Sequence, residues 1–534
     1  MVVVIPTQTL KSPLFIWAGL CAGLVILPVL WLATSWAEIR ADLWQHLIET
    51  QILELIWNTL RLILGVFIGV SLLGTSLAWI VTKYEFPGRS FFEWALVLPF
   101  AIPAYVFAFI FIGTFDGAST PMNSFRQFSG LDIWPQVRNY WGVLISFVCA
   151  FYPYVYLLVR GRLKRQGQEI YEVAQTLGCK PIALFFRVAL PIAWPAVVGG
   201  AGLAVMETMA DFGAVSIFNY QTFTTAIYKS WFGFFSLQTA AQLASMLVVA
   251  VIVWRSIEAF MLRGRDATGE KTTRSRAVER FNLSARTGWL ITFLFTLLFS
   301  ITFIVPMFRL VMWVGQAWSP SVLNHFYEYL SNSLILSVAG GILVVFCSLF
   351  LAIGTRQDGR KRMKNAVRFA TLGYALPGSI LAVGLMMVVL FLQKKIELYT
   401  GLSLALVGGV GVLLTAYVVR FLAVGYSGAH TAVTEVQPHI GEAAQVLGVP
   451  LWRRVIKLYC PLVSPGLFAA LLLVIVDILK EMPATLLLRP FGWDTLAVSI
   501  FGFTAEGDWA LAALPALALV LIGLVPVYIL IKRY

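Results

Sequence analysis

The chain has 534 residues, 59% hydrophobic and 12% charged, with a mean hydropathy of +0.84. Soluble domains carry about 25% charged residues, so this chain lacks the polar surface that water demands and reads as an integral membrane protein. Its formal net charge of +13 excludes little by itself, but the basic residues lie in short stretches between apolar segments, a pattern that argues against nucleic acid and for the inner loops of a membrane protein.

The first apolar stretch, 14–36, follows one lysine, Lys11. It exceeds a signal-peptide core of roughly 7–15 residues and is expected to be an uncleaved span. Further stretches near the ~20 residues that cross hydrocarbon follow at 54–81, 92–114, 140–159, 193–218, 239–262, 288–314, 333–354, 367–392, 402–425, 462–487 and 509–531. The expected fold is an all-α polytopic membrane protein with twelve transmembrane helices, Pro99, Pro103 and Pro153 interrupting the third and fourth. Its expected parts are a first six-helix half (1–262), a basic linker (263–287) and a second six-helix half (288–534). With both termini inside, 29 of the 39 lysines and arginines fall on the inner side and 7 outside. Arg61, Arg309 and Lys480 lie in or near spans. That imbalance sets the expected orientation.

The two halves repeat one another. Asn58-Thr-Leu precedes Asn332-Ser-Leu by 274 positions, as Pro103 precedes Pro377. EVAQTLG at Glu172–Gly178 precedes EAAQVLG at Glu442–Gly448 by 270. Shared order and nearly constant spacing indicate a duplication rather than a short-period solenoid.

Each half carries one distinctive loop between its fourth and fifth spans, at 168–191 and 438–461. In the first, Glu172, Ala174 and Leu177 fall near helical spacing, Gly178 suits a helix C-terminus, and Pro181 suits the first turn of the next helix. Arg187 closes a basic face. Gly448, Pro450, Arg453, Arg454 and Lys457 recur in the second copy. An interfacial anchor is the plain alternative for one such elbow; its recurrence at the same place in both halves argues against that.

EVAQTLG…ALP and EAAQVLG…YCP resemble the EAA loop of ABC importer permeases, with Val173 replacing the usual alanine in the first copy. The resemblance implies the type I ABC importer permease fold, its halves related by a pseudo-two-fold axis along the membrane normal. It also implies that Glu172, Ala174 and Gly178, and Glu442, Ala443, Ala444 and Gly448, form two elbows that insert into ATPase subunits. The sequence has no GxxxxGK[ST] phosphate loop and no catalytic constellation. The chain is therefore expected to be a transport subunit and no enzyme, binding no cofactor itself, with ATP and Mg held by two copies of a partner ATPase. The resemblance also implies a periplasmic or surface substrate-binding protein meeting outer loops near 115–140 and 488–507. The expected location is the bacterial plasma (inner) membrane.

Four acids within the apolar spans stand out: Glu207 and Asp211 in VMETMADFGAV, Asp477 and Glu481 in VIVDILKEMPAT, again 270 apart. Such groups cost about 2.5–3.5 kcal/mol on insertion scales and point to function. The spacing i,i+4 places each pair on one helical face. A translocation pathway lined by these acids favours a cation, with Glu207 and Asp477 as transient metal contacts. Gate or packing roles explain them equally well, and related importers of anions carry an acid beside Phe-Gly at a position like Asp211. Ala210–Gly233 and Leu479–Phe501 further resemble ferric iron importer permeases. That resemblance implies iron(III), with thiamine, polyamine or phosphonate as other substrates and an ion-coupled secondary transporter as the alternative of another class. Tyr220 and Tyr228 are candidate phenolate ligands or, more simply, interfacial aromatic anchors. The five scattered cysteines, Cys21, Cys149, Cys179, Cys347 and Cys460, suit neither a disulfide framework nor a zinc site.

Overall fold

The computed structural model describes residues 13–116, 127, 136–165, 168–263, 280–401, 406 and 408–533. Most of the expected linker and of the outer loop near 115–140 lies outside them. In chain order the described helices are α1 (Pro13–Thr34), α2 (Ala41–Thr50), α3 (Ile52–Lys83), α4 (Arg89–Ala95), α5 (Ala104–Phe115), α6 (Tyr140–Arg165), α7 (Gln168–Thr176), α8 (Pro181–Leu184), α9 (Leu190–Ala210), α10 (Gly213–Ile217), α11 (Phe223–Tyr228) and α12 (Leu237–Leu262). They continue as α13 (Ala285–Phe299), α14 (Val305–Ala317), α15 (Pro320–Gln357), α16 (Lys361–Ala370), α17 (Gly378–Thr400), α18 (Val410–Glu435), α19 (Pro438–Val446), α20 (Leu451–Arg454), α21 (Cys460–Lys480), α22 (Pro483–Leu488), α23 (Leu496–Glu506) and α24 (Trp509–Arg533). One two-residue parallel pairing joins Tyr84–Glu85 to Phe281–Asn282.

Among the described residues, eleven helical stretches are long and apolar enough to cross a membrane, and a helix pair bent by 93° makes up to twelve. Helices satisfy their backbone groups internally, as hydrocarbon requires. Leu20, Leu64, Leu72, Phe260 and Phe293, each 57–71% exposed, stand on outward faces that lipid rather than water would cover.

Prolines decide several breaks. The bend lies at Ile102–Pro103, between Arg89–Ala101 and Ala104–Phe115, because Pro103 cannot continue a hydrogen-bonded turn. The expected ninth span, 367–392, divides in the same way: α16 ends in a tight turn at Thr371–Ala375, and α17 starts only after Pro377. Pro153, expected to interrupt the fourth span, leaves α6 continuous. It removes one donor, and α6 is held along its length by α3 and α9. Wide π-turns at Phe185–Ala189, Ser300–Ile304 and Val455–Tyr459 precede Pro191, Pro306 and Pro461. The wide turn moves aside the carbonyl four residues back that the proline ring would strike.

Packing divides the chain into two compact units that cross the sequence halves. The first contains Met1–Ala41, Ile227–Val248 and His325–Val498; the second contains Asp42–Ala226, Val249–Asn324 and Ser499–Tyr534. In the first unit, α1 packs on α16 and α17, with Ala18, Cys21, Met363 and Val367 buried together, and α18 packs on α21 around Leu336, Leu385, Tyr417 and Val474. In the second, α3, α6 and α9 pack mutually, and α14 packs on α5 and α24. The first span of the chain thus belongs with second-half helices, and α13–α14 with first-half helices.

Candidate functional site: paired elbows and span-breaking acids

Both expected elbows form from the same local rules. Two residues past the end of α7 stands Gly178 at φ +82°, and two past the end of α19 stands Gly448 at φ +71°, a left-handed conformation open to glycine without a Cβ penalty. Cys179 N–H donates to the Ala174 carbonyl at 3.0 Å and Gly178 N–H to Gln175 at 2.8 Å, the paired bonds of a Schellman cap. In the second copy Val449 N–H donates to Ala444 at 3.0 Å. Each cap leads into a single helical turn, α8 or α20, then a π-turn and a long span. Four successive elements match in type and order.

The expected face of the first elbow is divided. Ala174 is buried, whereas Glu172 and Leu177 are exposed. The tip is apolar and open: Val173 is 58%, Leu177 80%, Val446 88% and Leu447 80% exposed. Ala443 is also exposed and Ala444 half-buried; Glu442 lies on the α19 backbone, and its side chain is outside the described set. The basic residues do not all share one role, because Arg454 is buried while Arg187, Arg453 and Lys457 are exposed.

Sequence reasoning missed what holds each elbow. Tyr171, fully buried, receives Lys83 Nζ over its ring at 3.4 Å and lies 6.1 Å from Trp79, which in turn meets Phe185 at 5.4 Å. Burial pushes the Tyr171 phenol above its ordinary range, so the ring stays neutral and offers its negative face to the cation. The end of α3 is thereby fastened to α7. At the equivalent place in the second half, Arg356 donates instead to the carbonyls of Val433 and Val436, which close α18 just before α19. The signal available was a lone cation ending an apolar run, at Lys83 and again at Arg356.

The four acids separate into two kinds. The expectation that each pair shares one helical face fails, because α9 ends at Ala210 and α21 at Lys480, leaving Asp211 and Glu481 extended with ψ 131° and 110°. Both then cap the next short helix. Asp211 Oδ1 accepts from Ala214 N–H at 2.7 Å and Glu481 Oε1 from Ala484 N–H at 3.1 Å. Thr224 and Thr485 hydroxyls donate to the Asp211 and Glu481 carbonyls, each at 2.8 Å. Glu207 and Asp477 remain within their helices, half-buried.

Glu481 also pairs with Arg420 at 2.7 Å, both side chains nearly buried, and Arg420 donates to the Leu376 carbonyl. The charge count groups Arg420 with the inner cations although it falls inside the expected span 402–425; it lies in the middle of α18, where the Glu481 carboxylate compensates it. Gly378, directly after Pro377, has no room for a Cβ, which would come within 2.4 Å of Glu481 Oε1. Beyond each break the repeated asparagine holds the segment that follows the short helix. Asn58 Nδ2 donates to the Gln221 carbonyl at 3.1 Å, and Asn332 Nδ2 to those of Gly492 and Asp494 at 3.2 Å. Tyr220 donates to the Asn58 carbonyl, and Tyr228 packs beside Trp231 on the core of the first unit. No group of three or more His, Cys, Asp or Glu able to hold a metal occurs among the described residues.

Residues 71–259 match the family described as binding-protein-dependent transport system inner membrane component. Over 528 residues, 98% of this chain and 97% of the relative, the sequence is 30% identical to the Fe(3+)-transport system permease protein FbpB 2 of Haemophilus influenzae. The chain belongs to this permease family. The permease is also 29% identical over 43% of its length to the 2-aminoethylphosphonate transport system permease protein PhnV of Salmonella typhimurium, covering 87% of that protein. It is 31% identical over 40% of its length to the sulfate transport system permease protein CysT of Escherichia coli, covering 75% of that protein. Each of those two relatives matches a stretch of less than half the permease. The permease has the type I ABC importer fold and is an inner-membrane transport component.

Proposed function

We propose that this ABC importer permease carries ferric iron, with both termini inside and two copies of a separate ATPase seated on its elbows. The supporting observation is the full-length likeness to an iron(III) permease together with two elbows built alike, each ending in an exposed apolar tip. A substrate-binding protein loads the outer face. ATP and Mg sit on the ATPase subunits, and this chain contributes no nucleotide site. Closure of those subunits pulls on Glu172–Gly178 and Glu442–Gly448, and the rigid turns after each elbow pass the displacement to α9 and α21. Glu207 and Asp477, one turn before the helix breaks, carry the contact with the cation in transit, whereas Asp211 and Glu481 hold the breaks themselves.

A second reading, an oxyanion such as a phosphonate, is favoured by the Arg420–Glu481 pair. That pair neutralises one of the four acids, and the half-length relatives are permeases for 2-aminoethylphosphonate and sulfate. Vesicles holding the permease, its ATPase and its binding protein distinguish the two. ATP-dependent accumulation of labelled ferric iron, with no uptake of 2-aminoethylphosphonate or thiamine, is the expected result. Uptake of the phosphonate without iron would overturn the assignment.

A further inference from the structure

Helix α16, KRMKNAVRFA, lies between the long helices α15 and α17. Its apolar side, Met363, Val367 and Ala370, is buried with Ala18, Cys21 and Ala22 of α1. Its other side is strongly basic. Lys361, Arg362, Lys364 and Arg368 are all exposed, and Arg360 stands at the N-cap. Across residues 356–375 the single acid is Asp358, 3.7 Å from Arg360. Among the described residues, Lys361, Arg362, Lys364 and Arg368 form no ion pair.

The corresponding helix of the first half is different. In α4, RSFFEWA, the Glu93 carboxylate collects Arg89 at 3.1 Å, Arg160 at 2.6 Å and Lys164. There the cations are consumed within the protein. In α16 no such acid gathers Lys361, Arg362, Lys364 and Arg368, and Lys361 and Arg362 stand in the first turn, where the helix dipole adds to the repulsion. Phe369 and Leu372, 49% and 45% exposed, place apolar groups beside the same basic face. A short helix between two spans lies at the edge of the hydrocarbon, so the anions within its reach are lipid phosphates.

We propose that α16 is a docking surface for anionic phospholipid headgroups, its cations binding the phosphodiester while Phe369 and Leu372 enter the acyl boundary. The surface belongs to the second half alone. The test is native mass spectrometry of the purified full chain titrated with phosphatidylglycerol, phosphatidylcholine or inorganic phosphate. The wild type is expected to retain phosphatidylglycerol at least 10-fold better than phosphatidylcholine, with no retention of inorganic phosphate. The variant Lys361→Gln/Arg362→Gln/Lys364→Gln/Arg368→Gln is expected to lose that preference, and Lys361→Arg/Lys364→Arg to keep it. If the fourfold variant does not fold, the wild-type preference must still fall steeply as ionic strength rises. Equal retention in wild type and fourfold variant, or salt-independent retention, would each overturn the proposal.

Discussion

At the residue scale, glycine and the buried ion pair dominate. Gly178 and Gly448 stand at φ +82° and +71°, where an L-residue costs roughly 1–2 kcal/mol, more if β-branched. Gly178→Val with Gly448→Val is expected to abolish ATP-driven uptake while the protein still inserts and purifies, measured by transport against membrane yield. Normal uptake would remove the elbows from the mechanism. Glu481 is different in kind, because its partner Arg420 is buried with it. Glu481→Gln leaves a buried guanidinium uncompensated, a loss of about 3–5 kcal/mol, read as a lowered melting temperature in detergent. Glu481→Gln with Arg420→Met is expected to recover most of it. Asp211, a cap without such a partner among the described residues, should lose only ~1 kcal/mol as Asp211→Ala. Equal destabilisation at the two positions would contradict the division of roles between cap and ion pair.

At the element scale, the fastening of α3 to α7 is the link between elbow and span. A desolvated cation–π contact contributes about 2 kcal/mol, and here it joins the last residue of one spanning helix to the elbow helix. Tyr171→Phe keeps the aromatic face and should transport normally. Tyr171→Leu and Lys83→Met should raise the ATP hydrolysed per substrate several-fold. An unchanged ratio in well-folded Tyr171→Leu would make the contact mere packing. The elbows were legible in sequence because caps and turns are local: a glycine, a proline two or three residues on and an apolar repeat suffice. Their fastenings were not, because Lys83 and Tyr171 are 88 positions apart in the chain and meet only through folding.

At the scale of the whole molecule, the permease is two sequence halves whose first spans exchange packing partners. Helix α1 belongs to the unit rich in second-half helices, and α13–α14 to the unit rich in first-half helices. Severing the chain in the linker near 263–287 therefore should not yield two independently stable halves. Co-expressed fragments are expected to co-purify, and either fragment alone to be degraded, as measured by membrane yield. Two stable separate halves would contradict the exchanged packing. The intact chain, purified without partners, is expected to hydrolyse no ATP; turnover by the chain alone would end its assignment as a transport subunit.

Sequence alone determined the solvent, the approximate number of spans, the duplication and the two elbows. These depend on the length of apolar runs, on local turn chemistry and on a repeat that survives in spacing. Tertiary structure decided where α9 and α21 stop, since Asp211 and Glu481 look like further residues of an apolar helix until their carboxylates are seen capping the next one. It also decided that Arg420, inside the expected span 402–425, is the buried partner of Glu481, and which half each first span packs against. The Arg420 pairing and the packing of the first spans depend on contacts between segments far apart in the chain, whose energies no local pattern records; the two caps are local, but the apolar run around them hides the pattern.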